Sequence, residues 1–196
     1  MRRTAASLLM LVAVACGSSS TPGTTESPSP TVKPIELWPL PDDPMALARE
    51  AGLKPETSEK LEYHVHAHLD VFKDGKPVLV PGGIGIDTSD PQVKEFPGPG
   101  YGGIESPCSK ACISPLHTHG PDGVLHTESP TPTPNTFGQF LIEWDVKLPT
   151  GTKVYIDGKE YTDDVARIEL ADQREIAVVI GEPPDEIPSR FPAGAG

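Results

Sequence analysis

Residues 61–72 alternate between apolar and polar positions with the two-residue period of a β-strand. Successive side chains of a strand point to opposite faces, so one face is polar and carries His64, His66, His68 and Asp70. The intervening positions are apolar and predict a face that packs on a core. The pattern therefore predicts a strand that presents a ladder of imidazoles on one side of a sheet.

Turn signals divide much of the remaining chain into short strands. An Asp-Gly pair at residues 74–75 joins the histidine strand to a second strand at residues 77–80, and another Asp-Gly pair lies within residues 153–161. Each pair predicts a β-hairpin. Two further runs, residues 167–170 and residues 175–180, predict closing strands, the second apolar enough to be central.

Two short segments carry the capping residues that begin and end helices. Near residues 43–52, an acidic N-cap precedes Pro at the first helical position, and Gly follows the end. Near residues 137–144, Thr136 and Gln139 have the spacing of a capping box. Both segments are short, so they predict helices that accompany a sheet.

The composition changes this picture little. The 196 residues include 24 Pro and 19 Gly, which favours short strands and loops over long helices. We predict a mainly β fold, a small sandwich or barrel-like sheet of hairpins with two short helices. The alternative is an α+β domain in which residues 87–107 are also ordered; that Pro- and Gly-rich stretch predicts either a flap near the histidine face or a disordered segment.

The N-terminus has the pattern of an export signal. Arg2 and Arg3 precede an apolar run that ends at Ala15 and is too short for a persuasive membrane span, so residues 1–15 predict a signal peptide. The run stops at small residues before Cys16, and here the segment resembles a bacterial lipoprotein signal. The resemblance implies that Cys16 is lipidated and anchors the protein to the outer, extracytoplasmic face of the cell membrane. A plain signal peptide with a stray Cys is the alternative.

The rest of the chain predicts one domain between two irregular ends. Residues 16–34 contain the lipidated Cys and a flexible tether rich in Pro, Ser, Thr and Gly. Residues 35–181 predict a single His-rich β domain, and residues 182–196 a peripheral Pro-rich tail. The formal net charge of -12 argues against a nucleic-acid partner, because phosphate backbones bind basic surfaces.

The second group of histidines flanks a turn. Residues 120–123, Gly-Pro-Asp-Gly, suit a type I turn. If they form the loop of a hairpin, His117 pairs with His126, and His119 pairs with Val124, so that three imidazoles share one face. Imidazole is the commonest protein ligand for zinc and copper, so this hairpin predicts a transition metal ion, copper or zinc, as cofactor.

All six histidines of the chain fall in these two groups. We predict that the groups lie on neighbouring strands and form one composite site, whose main ligands are His117, His119 and His126. His66 and His68 complete the site or hold a second ion. The ladder from His64 to His68 spans about 13 Å, so one ion does not bind all three, and ligand nitrogens around one ion lie roughly 3–3.5 Å apart. A polar ligand-binding face and a pH-sensing cluster are the alternatives.

Two cysteines precede the second histidine group. Outside the membrane, Cys108 and Cys112 are expected to form a disulfide. Thiolate ligation, which suits copper or zinc, is the alternative that their spacing leaves open.

Three motifs carry a resemblance to a family: HVHAHL at residues 64–69, LHTH at residues 116–119 and HTESP at residues 126–130. Over most of residues 61–181 the chain resembles an uncharacterised family of exported or membrane-anchored proteins of bacteria and archaea. The resemblance implies a location and no activity. The ligand pattern is also similar to the zinc site of α-type carbonic anhydrases, and more loosely to cupins, but the similarity stops at the ligands.

Two functions of different class follow from these patterns. The first is a tethered metal-binding protein that acts as scavenger, carrier or sensor outside the membrane. The second is a metalloenzyme in which the hairpin histidines hold the ion and water fills an open fourth position. Glu128, two residues after His126 and on the same face, is then the candidate general base.

Overall fold

The computed structural model describes residues 33–104 and 106–195. The predicted signal peptide, Cys16 and most of the predicted tether lie outside the described residues. Within these two ranges, no helix is both long and apolar enough to cross a membrane.

Short strands dominate the described part of the chain. They are β1 (Tyr63–Lys73), β2 (Lys76–Val78), β3 (Lys94–Phe96), β4 (Gly100–Gly102), β5 (Leu116–His117), β6 (Val124–Ser129), β7 (Lys153–Ile156), β8 (Lys159–Tyr161) and β9 (Arg174–Ile180). The helices are α1 (Pro44–Glu50) and α2 (Phe137–Glu143), with a 3-10 turn at Val165–Arg167. The predicted mainly β fold with two short helices is confirmed.

Seven strands form one mixed sheet in the order β5-β6-β1-β9-β7-β8, with β2 paired to the end of β1. This sheet is open and is not closed into a barrel. The long strand β1 is at its centre: it runs antiparallel to β6 along its first half and parallel to β9 along its second half. The strands that carry the histidines, β5, β6 and β1, are therefore neighbours.

Both Asp-Gly hairpins form as predicted. Asp74 and Gly75 join β1 to β2 with φ angles of 48° and 74°, and Asp157 and Gly158 join β7 to β8 with φ angles of 51° and 77°. Positive φ at both central residues matches the right-handed twist of the flanking strands. Local turn chemistry thus fixes the register of these two strand pairs.

The core lies on the sheet face opposite the histidines. The apolar positions of β1, including Leu69 and Val71, are buried in one core with Phe137 and Phe140 of α2 and with Trp144, which caps the end of that helix. The capping box predicted before α2 is present. In α1, Asp43 caps the helix through a 2.9 Å hydrogen bond from the Ala46 amide, and Pro44 occupies the first position. The apolar half of the alternation therefore builds the core and leaves the other face for polar groups.

The strand predicted at residues 167–170 does not form. The segment contains the end of the 3-10 turn and then runs beside the residues that precede α2, where the Phe137 amide donates to Ile168 and the Leu170 amide donates to Asn135. Ile168 and Leu170 are buried in the core. Their alternating pattern reflects packing under α2, because the edge of the sheet is already formed by the β7–β8 hairpin.

Residues 87–104 are ordered and contain the small hairpin of β3 and β4. After it, Cys108 and Cys112 form a disulfide whose Cα atoms are 6.3 Å apart. The two cysteines are buried in a small apolar cluster with Ile86 and Ile113. The disulfide and this cluster hold the segment that leads into β5.

The C-terminal tail lies against the domain. The Gly75 amide donates a 2.8 Å hydrogen bond to the carbonyl of Glu182. Further along, the ring of Phe191 packs edge-on against His68 with their centroids 6.1 Å apart. These contacts place part of the tail over the polar face of β1.

Candidate metal centre

Strand register brings the two histidine groups together. His126 of β6 is paired with His117 of β5 on one side and with His66 of β1 on the other. Paired residues project to the same face of a sheet. Three imidazoles therefore form a row across three adjacent strands, and the predicted pairing of His117 with His126 is confirmed.

His119 reaches this row by a different route from the one predicted. The pairing of β5 with β6 ends at His117, so His119 does not pair with Val124. Instead, the His119 carbonyl accepts a 2.9 Å hydrogen bond from the Tyr101 amide in β4. The chain leaves the sheet here because the Thr118 amide donates to Ile84, which draws the strand toward the loop after β2.

The β3–β4 hairpin fixes the orientation of the His119 ring. Its Nδ1 lies 2.7 Å from the carbonyl oxygen of Tyr101. Gly102 has a φ of 145°, and a Cβ at that position would lie 2.6 Å from Nδ1 of His119. Glycine is therefore required for the close approach, and this hairpin forms a second wall of the site.

A backbone carbonyl also fixes the orientation of the His117 ring. The side chain is fully buried, and its Nδ1 lies 2.9 Å from the carbonyl oxygen of Ser114. Burial lowers the pKa of His117 to about 3, and the nearby His119 is the second largest cause of this shift. His117 is consequently neutral at physiological pH.

These two backbone contacts decide where the imidazole lone pairs point. A carbonyl oxygen only accepts, so each Nδ1 carries the hydrogen and, in the neutral ring, each Nε2 carries a lone pair. The two Nε2 atoms of His117 and His119 lie 3.2 Å apart. Two lone pairs that face each other at this distance repel, and a cation bound between them removes the repulsion. Hydrogen bonds from the second nitrogen to a carbonyl are also the usual support of metal-binding histidines.

Glu128 lies at the centre of the histidine groups. Its Oε1 is 3.2 Å from Nε2 of His64, 3.7 Å from Nε2 of His117 and 3.7 Å from Nδ1 of His126. Burial alone raises the pKa of Glu128, but the neighbouring imidazoles of His126, His117 and His64 outweigh burial, and the pKa is lowered. Glu128 is therefore an ionised carboxylate, and its buried Oε2 finds no hydrogen-bond partner in the described part of the chain.

Three groups of side chains on this face can hold a metal ion. Each offers ligand atoms that lie within 4.8 Å of one another. The first group consists of His117, His119, His126 and Glu128, the second of His64, His66 and His126, and the third of His68, Asp70 and Glu175. In the second group the Nε2 atoms of His64 and His66 are 2.8 Å apart. Burial, His126 and His64 lower the pKa of His66, which favours the neutral, ligating form.

His68 stands apart from the other five histidines. Its Nδ1 lies 2.9 Å from Oε2 of Glu175, and its Nε2 lies 2.9 Å from the carbonyl oxygen of Asp122. Burial alone lowers the pKa of His68, but the hydrogen bond and charge of Glu175, with Asp70, more than offset it, and the pKa is raised. A protonated ring donates to both acceptors, so His68 fastens the turn before β6 to strand β9.

Several supporting residues carry no signal in the sequence. Ser114 and Tyr101 act through backbone carbonyls, which any residue has. Glu175 faces His68 only because β1 and β9 pair in parallel, and the chain separation gives no hint of that contact. The disulfide cysteines belong to none of the ligand groups that the described residues form.

Comparison of the chain with protein-family models, curated proteins and solved structures gives no match. The functional argument therefore rests on the geometry of the site itself.

Proposed function

We propose that this protein is an extracytoplasmic, lipid-anchored metal-binding protein that holds a copper or zinc ion on the sheet face formed by β5, β6 and β1. The ligands in this proposal are His117, His119, His126 and Glu128. The observation that carries it is the pair of Nε2 atoms of His117 and His119, which face each other at 3.2 Å while both Nδ1 atoms are occupied by backbone carbonyls.

The donor set suits a borderline transition metal. Three imidazole nitrogens and one carboxylate oxygen are ligands typical of Zn²⁺ and Cu²⁺, whereas Ca²⁺ and Mg²⁺ prefer oxygen donors alone. The buried and unpartnered Oε2 of Glu128, within the described residues, is a further negative atom that a cation would neutralise. The residues present therefore fit a divalent ion of the copper or zinc type.

Glu128 favours a binding protein over the metalloenzyme alternative. A general base stays outside the coordination sphere, next to a water that occupies the open position. Here Oε1 of Glu128 lies no farther than 3.7 Å from the nitrogens of His117 and His126, close to the spacing expected of ligands on one ion. Such a carboxylate completes a closed, four-ligand site of the kind that stores or carries a metal.

Metal analysis is expected to find copper or zinc in protein purified from its own cell envelope. On titration with Cu²⁺ and Zn²⁺, His119→Ala should bind the ion at least about 100-fold more weakly than the wild type. Loss of a residue that only supports a ligand already costs about 10-fold to 100-fold in affinity, and His119 is itself a proposed ligand. Binding by the wild type should persist below pH 6.5, the ordinary pKa of imidazole, and weaken only at lower pH, because imidazole must be neutral to ligate and burial lowers the pKa of the ligands His117 and His126.

The control for this titration is Glu160→Ala, an exposed side chain on β8 at the far edge of the sheet. It should bind metal like the wild type. Absence of metal from the native protein, together with no uptake from micromolar Cu²⁺ or Zn²⁺, would show that the histidines do not form a metal site. The histidine face would then serve another purpose.

The membrane location is supported by the sequence of the N-terminus. Arg2 and Arg3, the apolar run and Cys16 together resemble a lipoprotein signal. The Cys108–Cys112 disulfide is compatible with an oxidising compartment. A site outside the membrane would meet metal ions before they cross it, which suits a scavenger, carrier or sensor.

The anchor predicts a difference between the wild type and Cys16→Ala. Expressed in its native host, the wild type should partition into the detergent phase and Cys16→Ala into the aqueous phase, because one acyl-modified cysteine supplies the membrane affinity. Western blotting of the two phases measures the effect. Aqueous behaviour of both proteins would eliminate the lipid anchor.

A further inference from the structure

We propose that the same face holds a second, outer ion. In this proposal, which rests on the proposed function, the first ion keeps the four ligands given above. The outer ion is bound by His64 and His66, and the carboxylate of Glu128 is shared between the two positions, while the single lone pair of neutral His126 stays with the first ion. The centre is then a two-ion site for Cu²⁺ or Zn²⁺.

The first step is the surplus of ligands. Five imidazoles and one carboxylate lie in the first two groups, whereas a zinc or copper ion usually takes four ligands. After the inner group is satisfied, His64 and His66 still present Nε2 atoms 2.8 Å from each other, a spacing suited to neighbouring ligands of a single ion. The outer position therefore starts with two preformed nitrogens.

The second step is the contact between the groups. His126 belongs to both, and its Nδ1 lies 3.5 Å from Nε2 of His64. Oε1 of Glu128 is closer to His64, at 3.2 Å, than to either inner histidine. Glu128 thus contacts ligands of both groups through one oxygen, and its other oxygen is buried without a partner among the described residues. A carboxylate in this position can bridge two ions.

The third step is the gradient of exposure. The side chain of His117 is 0% exposed and that of Glu128 is 4% exposed, whereas that of His64 is 34% exposed. The outer position thus opens to solvent, and the inner position is sealed behind it. An ion arriving from solvent meets His64 first, so the outer position should exchange faster than the inner one.

Equilibrium titration of the purified full chain with Zn²⁺ and with Cu²⁺ tests this proposal. The wild type and the control Glu160→Ala should bind two ions per chain. His64→Ala and His66→Ala should each bind one. Both positions are at least partly exposed, so these variants should unfold at a midpoint close to that of the wild type, which a denaturant titration checks.

Electron paramagnetic resonance of the copper-loaded protein gives an independent readout. Ions that share a carboxylate bridge lie about 3.5–4 Å apart, so two Cu²⁺ ions in the wild type should couple magnetically and lose the signal of isolated copper. His66→Ala should show one uncoupled Cu²⁺. A chelator should remove one of the two wild-type ions at least 10-fold faster than the other.

The outcomes separate the two proposals. One ion per wild-type chain, with unchanged binding in His64→Ala and His66→Ala, overturns the outer position and leaves the inner site standing. No ion in the wild type overturns the proposed function itself. Two ions that both persist in His64→Ala and in His66→Ala would place the second ion elsewhere and would also overturn the outer position.

Discussion

Replacing His68 with alanine is expected to lower the free energy of unfolding by about 3–5 kcal/mol while the protein still binds metal like the wild type. His68 and Glu175 are 4% and 0% exposed, and their side chains are 2.9 Å apart. Removing the imidazole leaves the Glu175 carboxylate buried without its partner, and it releases the Asp122 carbonyl from its hydrogen bond. The loss is large because an uncompensated buried charge is costly, and because His68 ties the turn before β6 to strand β9.

Denaturant unfolding of the metal-free wild type and variant measures the change in the free energy of unfolding. A metal titration of each protein measures binding. The matched control is the double variant His68→Leu with Glu175→Leu, which removes both charges and should recover most of the lost stability. A His68→Ala protein that unfolds like the wild type but no longer binds metal would contradict the structural role and make His68 a ligand.

The pH dependence of this effect has a definite sign. The pKa of His68 is raised in the folded protein, mainly because Glu175 and Asp70 outweigh the effect of burial. The stabilisation from the charged ring is therefore complete below its ordinary pKa of about 6.5, and it is lost as the pH rises through the higher folded value. The difference between His68→Ala and the wild type should be larger at pH 6 than at pH 9.

Replacing Glu143 with methionine is expected to have the opposite effect and raise the free energy of unfolding by about 1–3 kcal/mol at pH 7. Glu143 is the last residue of α2 and is 0% exposed. Within the described residues, neither carboxyl oxygen has a hydrogen-bond partner that meets normal geometry. Methionine has a similar length and carries no group that must be desolvated.

Burial raises the pKa of Glu143 well above its ordinary value, and the Ser114 side chain offsets only part of the rise. The folded chain keeps the proton to a higher pH than the unfolded chain, so the wild type loses stability as the pH climbs from about 4.5 toward the folded pKa, at about 1.4 kcal/mol per pH unit. The advantage of Glu143→Met should therefore grow with pH over this window.

Chemical unfolding of the wild type and Glu143→Met at several pH values measures this effect. Glu160→Met, at an exposed position, is the control and should change stability by less than about 0.5 kcal/mol. Equal pH slopes for the wild type and Glu143→Met would show that Glu143 does not retain its proton in the fold.

The sequence by itself determined the features that depend on near neighbours. Strand alternation placed His64 and His66 on one face, and turn chemistry between His117 and His126 paired those two residues, because side-chain period and loop length are local properties. The two Asp-Gly hairpins and both helix caps follow from the same kind of rule. Most of the mainly β fold, and the core of the candidate site, were therefore predictable.

Only the tertiary structure decided which histidines act together. His119 is turned into the site by Tyr101, whose hairpin lies in a stretch without periodicity, and His68 is turned away by Glu175, which is 107 positions along the chain. The segment at residues 167–170 has the pattern of a strand but packs under α2. These outcomes depend on which distant strands become neighbours. The order of strands is set by burial over the whole domain, and no local period or turn encodes it.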